Sequence, residues 1–137
     1  MTALGEFLGV RRAVALWESR TDAELGGAHG LGLSEFAVLH HLAEAPGGRL
    51  RRIDLARRVA LTASGVTRLL APLERRGIVT READGTDARA TYAVLTKSGK
   101  LLVKEATATV ERIAESLLSS LSERDRQAFQ KLAASAL

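Results

Sequence analysis

The sequence of 137 residues contains no cysteine. This absence excludes disulfide bonds, thiolate metal sites and cysteine-based catalysis or redox sensing. The sequence also lacks an apolar run of the roughly 18 to 20 residues that a membrane-spanning helix needs, and it lacks a basic start followed by an apolar signal segment. We therefore expect a soluble, cytoplasmic protein without membrane association.

Histidine is scarce, and the usual signatures of catalysis are missing. The three histidines are His29, His40 and His41, and none lies near the carboxyl end, which disfavours a zinc-sensing cluster there. The sequence has no Gly-x-Ser-x-Gly elbow, Walker phosphate loop, His-Glu-x-x-His helix or dinucleotide-binding fingerprint. We therefore expect neither an enzyme nor a protein with a metal or cofactor.

Positive charge is concentrated in the centre of the chain. The net charge is +4, and residues 49–89 carry ten arginines against five acidic residues and no lysine. Residues 1–48 instead carry more acidic than basic residues. The planar fork of arginine matches phosphates and guanine edges. The centre is therefore either a nucleic-acid-binding face or a solvated basic face without a partner.

Two helices are expected before the basic centre. Residues 2–25 have apolar positions at steps of three and four, which indicates a helix with one buried face that ends at Gly26-Gly27. Those positions are Phe7, Val10, Val14 and Trp17. Ser34 is the expected N-cap of a second helix, which ends before Pro46.

The basic centre has the pattern of a helix-turn-helix. Residues 52–59 form the first helix of this pair, with no N-capping side chain and with Ile53, Ala56 and Val59 facing inward. Thr62 caps the second helix, which extends to about residue 76, and Gly77 ends it in the left-handed conformation. Its expected buried positions are Val66, Leu69, Leu70 and Leu73.

The second helix of such a pair can lie in the major groove of DNA. Its outward amino-terminal half carries Ser64, Gly65, Thr67 and Arg68. Small residues permit close approach to DNA, Arg68 can bond to a guanine edge, and Thr67 can contact a base or a thymine methyl. Under the alternative interpretation, Thr62 only caps the helix and Arg68 is only solvated.

A hairpin follows the helix pair directly. Residues 78–82 and 91–95 are predicted strands, and Thr96 then caps a long helix of about residues 97–120, followed by a last helix over 123–136. A helix-turn-helix followed by a hairpin is the winged-helix arrangement. Arg89, near the tip of the loop, can then enter a narrow A·T minor groove.

From Leu33 to Leu102 the sequence resembles the multiple antibiotic resistance regulator (MarR) family of bacterial transcription factors. The matching segments, in order, are IDLAR (53–57), LTASGVTRL (61–69), LERRGIV (73–79), DAR (87–89) and LTKSG (95–99). This chain departs from the family pattern at Pro72, inside the second helix of the pair, and in a wing that lacks one usual arginine.

The resemblance implies a mainly helical protein with a small antiparallel β-hairpin. It implies a single domain over 1–137, with a winged helix-turn-helix DNA-binding lobe over 33–96 and a dimerisation region formed by the helices at 2–25 and 97–136. The function it implies is a homodimeric regulator, usually a repressor, that binds a pseudo-palindromic operator in double-stranded DNA. It also implies release by a small phenolic or lipophilic anionic effector.

The predicted site residues form two sets. Asp87 is expected, from the resemblance, to fix the wing by ion pairing. The DNA-binding set is Arg52, Thr62, Ser64, Gly65, Thr67, Arg68, Arg75, Asp87 and Arg89. The effector set is Trp17, His40 and His41, although Trp17 at helical spacing is equally compatible with a core position. The alternative function is a winged-helix module that binds an acidic protein partner.

Overall fold

The computed structural model describes residues 1–87 and 89–136. It confirms the mainly helical class and adds a third strand to the expected hairpin. The helices are α1 (Ala3–His29), α2 (Leu33–Glu44), α3 (Arg52–Arg58), α4 (Ala63–Arg75), α5 (Lys97–Leu118) and α6 (Glu123–Ser135), with a 3-10 turn at Pro46–Gly48. The strands are β1 (Arg49–Arg51), β2 (Val79–Ala83) and β3 (Thr91–Leu95).

The sheet is antiparallel and has the order β1-β3-β2. Strand β1 lies immediately before α3 and pairs with β3, so the sheet connects the helix-turn-helix directly to the wing. Strand β1 has no signal in the sequence, because three residues are too few to show an alternating pattern.

Helix α1 does not end at Gly26-Gly27 as predicted, but continues to His29. Its end is at Gly30, which has φ of +65° and donates its N–H to the carbonyl of Gly26 at 3.1 Å. Leu25 and Leu31, on either side of this turn, are both buried. Burial of this pair stabilises the longer helix and outweighs the modest cost of two glycines in its last turns.

Helix α2 begins at Leu33, with Gly32 as its N-cap, so the predicted capping role of Ser34 is wrong. The side chain of Glu35 accepts the N–H of Gly32 at 3.0 Å, and Asp22 of α1 accepts the N–H of Leu33 at 2.6 Å. Because Asp22 lies eleven residues away in the sequence, local capping rules do not reveal it.

The helix-turn-helix has its predicted caps. Thr62 accepts the N–H of Gly65 at 3.0 Å, α3 has no side-chain cap, and Gly77 has φ of +70°. The inward position of Ile53 is wrong, since its side chain is 57% exposed while Leu55 is fully buried. A helix of seven residues has about two turns, too few to determine its buried face from periodicity.

The core is built around α2. Its largest fully buried side chains come from α2, from the helix-turn-helix, and from the end of α1 with the turn after it: Leu25, Leu31, Val38, Leu39, Leu42, Leu55, Val66, Leu70 and Leu73. Strand residues and the first half of α5 complete it, whereas Leu69 is only half-buried.

Helix α5 begins tightly against the start of the wing. Thr96 caps α5 as predicted and accepts the N–H of Gly99 at 3.1 Å, while its own N–H donates to the carbonyl of Ile78 at 3.0 Å. A Cβ atom at position 99 would lie 2.2 Å from that carbonyl oxygen. Only glycine therefore permits this approach between α5 and the winged lobe.

The apolar faces of the terminal helices are not covered within one chain. Phe7, Val10 and Val14 of α1 are exposed, and α6 has no buried residue among those described. The apolar face predicted from periodicity therefore exists on α1, but it is not buried within the described chain. No helix in the described part of the chain is long and apolar enough to cross a bilayer.

Candidate nucleic-acid interface

The amino-terminal half of α4 presents the predicted polar residues to solvent. Thr62, Ser64, Thr67 and Arg68 are exposed, and Gly65 is half-buried beneath them. Their hydroxyls also stabilise the helix locally: Thr62 contacts the Ser64 hydroxyl at 3.2 Å, and Thr67 donates to the carbonyl of Ala63 at 3.1 Å. This end of α4 is thus rigid, polar and accessible, which is what a groove-binding helix requires.

Arg68 and Arg75 are exposed along α4, and within the described residues neither forms an ion pair. Arg68 borders an open depression of about 610 Å³ between α4 and the start of α2. Arg76 differs, since its guanidinium donates to the carbonyls of Gly30 at 2.9 Å and His29 at 3.3 Å. Arg68 and Arg75 are therefore available to a ligand, whereas Arg76 fastens α4 to the end of α1.

Arg52 has a partner within the protein. Its side chain is only 15% exposed and forms an ion pair with Glu74 of α4, and one of its nitrogens lies 3.4 Å from the Thr67 hydroxyl. Glu74 also forms an ion pair with Arg81 of β2, with a nitrogen-to-oxygen distance of 3.3 Å. Arg52 thus links α3, α4 and the wing in this state, and its contact with DNA stays a prediction.

The wing loop carries Asp87 and Arg89 on its exposed side. Asp87 accepts the backbone N–H of Arg89 at 2.9 Å, and its carbonyl accepts the N–H of Ala90 at 3.1 Å, which makes a tight turn. Ala88, between them in the family motif, lies outside the described residues. A groove of about 460 Å³ separates the loop from the amino ends of α3 and α4, and Arg89, Thr67 and Arg51 line it.

The ion pair expected of Asp87 is made by a different aspartate. Asp84 is buried and pairs with Arg51 of β1. It also accepts the N–H of Thr86 at 2.9 Å and the Thr86 hydroxyl at 2.7 Å. These two Thr86 bonds, followed by the charge of Arg51, lower the pKa of Asp84 to about 2. The sequence Asp-Gly-Thr at residues 84–86 indicates a turn. The ion pair between Asp84 and Arg51, however, depends on strand β1, which was not predicted.

The predicted effector residues do not line one cavity. His40 lines a cavity of about 240 Å³ between α2 and α5, and its ring stacks on Phe36 with the centroids 6.0 Å apart. Trp17 instead packs edge-to-face on Phe129 of α6 at 5.7 Å. His41 is beside His40 but outside that lining, and burial followed by the charge of His40 lowers its pKa. Only His40 keeps a place in a candidate effector cavity.

Comparison with known proteins identifies the family. A sequence model of the MarR family matches residues 29–90. The chain is 33% identical over 103 residues to the HTH-type transcriptional repressor Rv2887 of Mycobacterium tuberculosis, an alignment that covers 75% of this chain and 73% of that relative. The chain belongs to the MarR family. It is a DNA-binding transcriptional regulator and not an enzyme.

Solved structures, including that of a MarR regulator, have the same fold. Sco3205 of Streptomyces coelicolor, crystallised in complex with DNA, matches with a TM-score of 0.92 and 24% identity, covering 99% of this chain and 87% of that one. BpsR of Bordetella bronchiseptica, whose DNA binding is regulated by 6-hydroxynicotinic acid, matches with a TM-score of 0.84 and 24% identity, covering 98% of both chains. The described part of this MarR protein contains no group of three or more side chains suited to a metal ion.

Proposed function

We propose that this MarR protein is a homodimeric transcriptional repressor that binds a pseudo-palindromic DNA operator and releases it when a small effector binds. The observation that carries the proposal is the pairing of an exposed, capped α4 end with an exposed Arg89 on the adjacent wing. The two surfaces flank the groove of about 460 Å³ described above. A duplex has a major groove for the helix and a neighbouring minor groove for the wing. The proposed location of this repressor is the cytoplasm, where a bacterial regulator meets its chromosomal operator.

The contacts divide by role. Arg68 is proposed to read a guanine edge, while Thr62, Ser64 and the N–H groups near Gly65 receive a phosphate at the helix amino end. Arg89 is proposed to enter the minor groove and Arg75 to contact the backbone. Asp87 serves this arrangement by accepting the N–H of Arg89 at 2.9 Å, which fixes the direction of the chain at the wing tip.

The proposed dimer uses residues 2–25 and 97–136. An apolar groove of about 560 Å³ lies between the start of α1 and α6, where Phe7, Val10, Val14 and Leu132 are exposed in the single chain. Contiguous apolar surface of this kind is characteristic of a protein interface. A two-fold axis through these helices would present two α4 helices to successive turns of the duplex, which accounts for a pseudo-palindromic site.

The proposed effector site is the cavity between α2 and α5 that His40 lines. Phe36 and Val110 supply an apolar wall, and His40 supplies a hydrogen bond, which together suit a small aromatic or lipophilic acid. BpsR, which has a similar fold, is described as regulated by such a molecule, 6-hydroxynicotinic acid. An occupant there would change the distance between the winged lobe, through α2, and the dimerisation region, through α5.

Arg89→Ala tests the DNA-binding proposal. We expect affinity for a duplex selected by the wild-type protein to fall, because the variant no longer places a guanidinium in the minor groove. Sedimentation and thermal unfolding should stay unchanged. The logarithm of wild-type affinity should decrease linearly with the logarithm of salt concentration, since bound phosphates release counterions. Unchanged affinity of the variant in fluorescence anisotropy would remove the minor-groove role.

A module that binds an acidic protein is the remaining alternative, since the central arginines would suit that partner too. It predicts no selection of a duplex sequence from a random pool and no requirement for Arg68 at a base position. Recovery of a defined two-fold symmetric sequence from that pool would exclude it.

A further inference from the structure

The three-stranded sheet carries a cluster of charged and aromatic side chains on one face. Arg51 of β1 lies directly opposite Tyr92 of β3, and Tyr92 lies directly opposite Glu82 of β2. Directly paired residues project to the same side, and so does Arg49, two residues before Arg51. Two cations from one outer strand therefore face a carboxylate of the other outer strand, with the Tyr92 ring between them.

Both arginines reach across the central strand. The guanidinium carbon of Arg49 lies 3.9 Å from the centroid of the Tyr92 ring, and that of Arg51 lies 5.9 Å from it. Arg49 pairs with Glu82 at 2.9 Å, and Arg51 pairs with Asp84 just beyond the end of β2. The outer strands of such a sheet are about 10 Å apart, a distance that arginine side chains span while resting on an aromatic ring.

The two ion pairs differ in burial. The side chains of Arg49 and Glu82 are 39% and 48% exposed, so water and salt screen their attraction. The side chain of Asp84 is only 6% exposed, and Thr86 donates two further hydrogen bonds to it. We call Arg51, Tyr92, Asp84 and Thr86 the wing clasp. The clasp joins β1 to the loop through a buried carboxylate that accepts bonds from both Arg51 and Thr86.

The clasp is connected to Arg89 through the loop backbone. The N–H of Asp84 donates to the carbonyl of Ala90 at 3.0 Å, which closes the loop at its base. The carboxylate of Asp84 accepts the N–H of Thr86, in the first half of the loop. Asp87 then accepts the N–H of Arg89. Asp84 thus determines both ends of the short segment from which Arg89 projects.

We propose that Asp84 and Arg51 are positioning residues for DNA binding, which hold the wing loop so that Arg89 reaches the minor groove. The inference rests on the proposed function of Arg89. It gives Asp84 the ion-paired role that the resemblance implied for Asp87, while Asp87 acts through its hydrogen bond from the Arg89 N–H. Arg51 accordingly acts inside the protein, and the duplex meets Arg89.

Charge alone predicts the opposite effect for a change at Asp84. Removing a negative charge close to DNA reduces repulsion of the phosphates, so neutralisation by itself should strengthen binding. If the clasp positions Arg89, Asp84→Asn should weaken binding in spite of that gain. Glu82→Gln is the matched control, because it removes one carboxylate from the same sheet face but leaves the clasp intact.

The experiment measures anisotropy of a fluorescent duplex of about 30 base pairs, long enough for two half-sites, that was selected with the wild-type protein. We expect Asp84→Asn to weaken binding about tenfold, near the value of one lost arginine contact to DNA. Glu82→Gln should bind equally or more tightly. In an Arg89→Ala background, Asp84→Asn should cause no further loss, because the residue acts through Arg89.

The possible outcomes separate the two proposals. If Arg89→Ala weakens binding but Asp84→Asn does not, or if the two losses simply add, the clasp inference is wrong and the function proposed for Arg89 stands. If Arg89→Ala binds like the wild type, both fail. Should Asp84→Asn not fold, Thr86→Ala removes only the hydroxyl bond and should give a smaller loss of the same sign, about threefold. Unchanged binding by a folded Thr86→Ala would then overturn the inference.

Discussion

Gly99 is the point at which helix α5 meets the winged lobe, and Gly99→Ala is a sharp test of that contact. The added Cβ would lie 2.2 Å from the carbonyl oxygen of Ile78 and 3.0 Å from the side chain of Leu95. The carbonyl belongs to the backbone and already accepts the N–H of Thr96 at 3.0 Å. The start of α5 must therefore move away from the start of β2.

The magnitude follows from three opposing contributions. Forcing an extra carbon into a packed site costs about 1 to 3 kcal/mol. Lengthening the Thr96 hydrogen bond costs about 1 kcal/mol more. Alanine recovers at most about 1 kcal/mol as a better helix former than glycine. We therefore expect the free energy of unfolding to fall by about 2 kcal/mol, or roughly 6 °C in Tm for a chain of this length.

Urea unfolding followed by circular dichroism, at one fixed protein concentration, measures this change. Gly26→Ala is the matched control, since it lies in α1 and its added Cβ would meet no atom within 4 Å. It should stabilise the protein by about 0.5 to 1 kcal/mol, which is the opposite sign for the same substitution. Equal unfolding midpoints for Gly99→Ala and the wild type would refute the close contact.

Three further predictions concern the interface, the dimer and pH. Arg68→Ala should relax preference at one base position per half-site by about 1 to 3 kcal/mol in selection experiments, and a uniform loss on all sequences would instead mark a phosphate contact. Leu132→Asp should shift sedimentation toward monomer, whereas Ile53→Asp, similarly exposed but in α3 and outside the proposed dimer helices, should not. The pKa of Asp84 is lowered from 3.8 to about 2, so its stabilising effect is complete above about pH 4 and is lost as pH falls through 2. The stability difference between wild type and Asp84→Asn should shrink over that window in urea titrations, and a constant difference would contradict the assignment.

Elements governed by local rules were predicted well. Thr62 and Thr96 cap their helices, and Gly77 has the left-handed conformation, because each role depends on atoms within three or four residues. The end of α1 was predicted wrongly because burial of Leu25 and Leu31 outweighs the local preference of two glycines. The cap of α2 was misplaced because its acceptor, Asp22, comes from another helix.

The candidate site was predicted in its exposed part and missed in its supporting part. Arg68 and Arg89 are exposed as expected, because the outward face of α4 and the tip of a hairpin loop can be recognised from the sequence pattern. Arg52, a predicted DNA-binding residue, forms an ion pair with Glu74, and Arg51 forms one with Asp84. A run of arginines carries no information on which of them have acidic neighbours in space.

The sequence by itself determined the helix-turn-helix, the wing and the membership of the MarR family, since these depend on periodicity, caps and short motifs in a fixed order. Only the tertiary structure decided which charges stay available and which are used internally. Strand β1 is the reason for much of this division, because pairing of three residues with β3 brings Arg51 across Tyr92 to Asp84. Such contacts join residues about thirty positions apart, so the folded backbone has to bring them together before their chemistry has any effect.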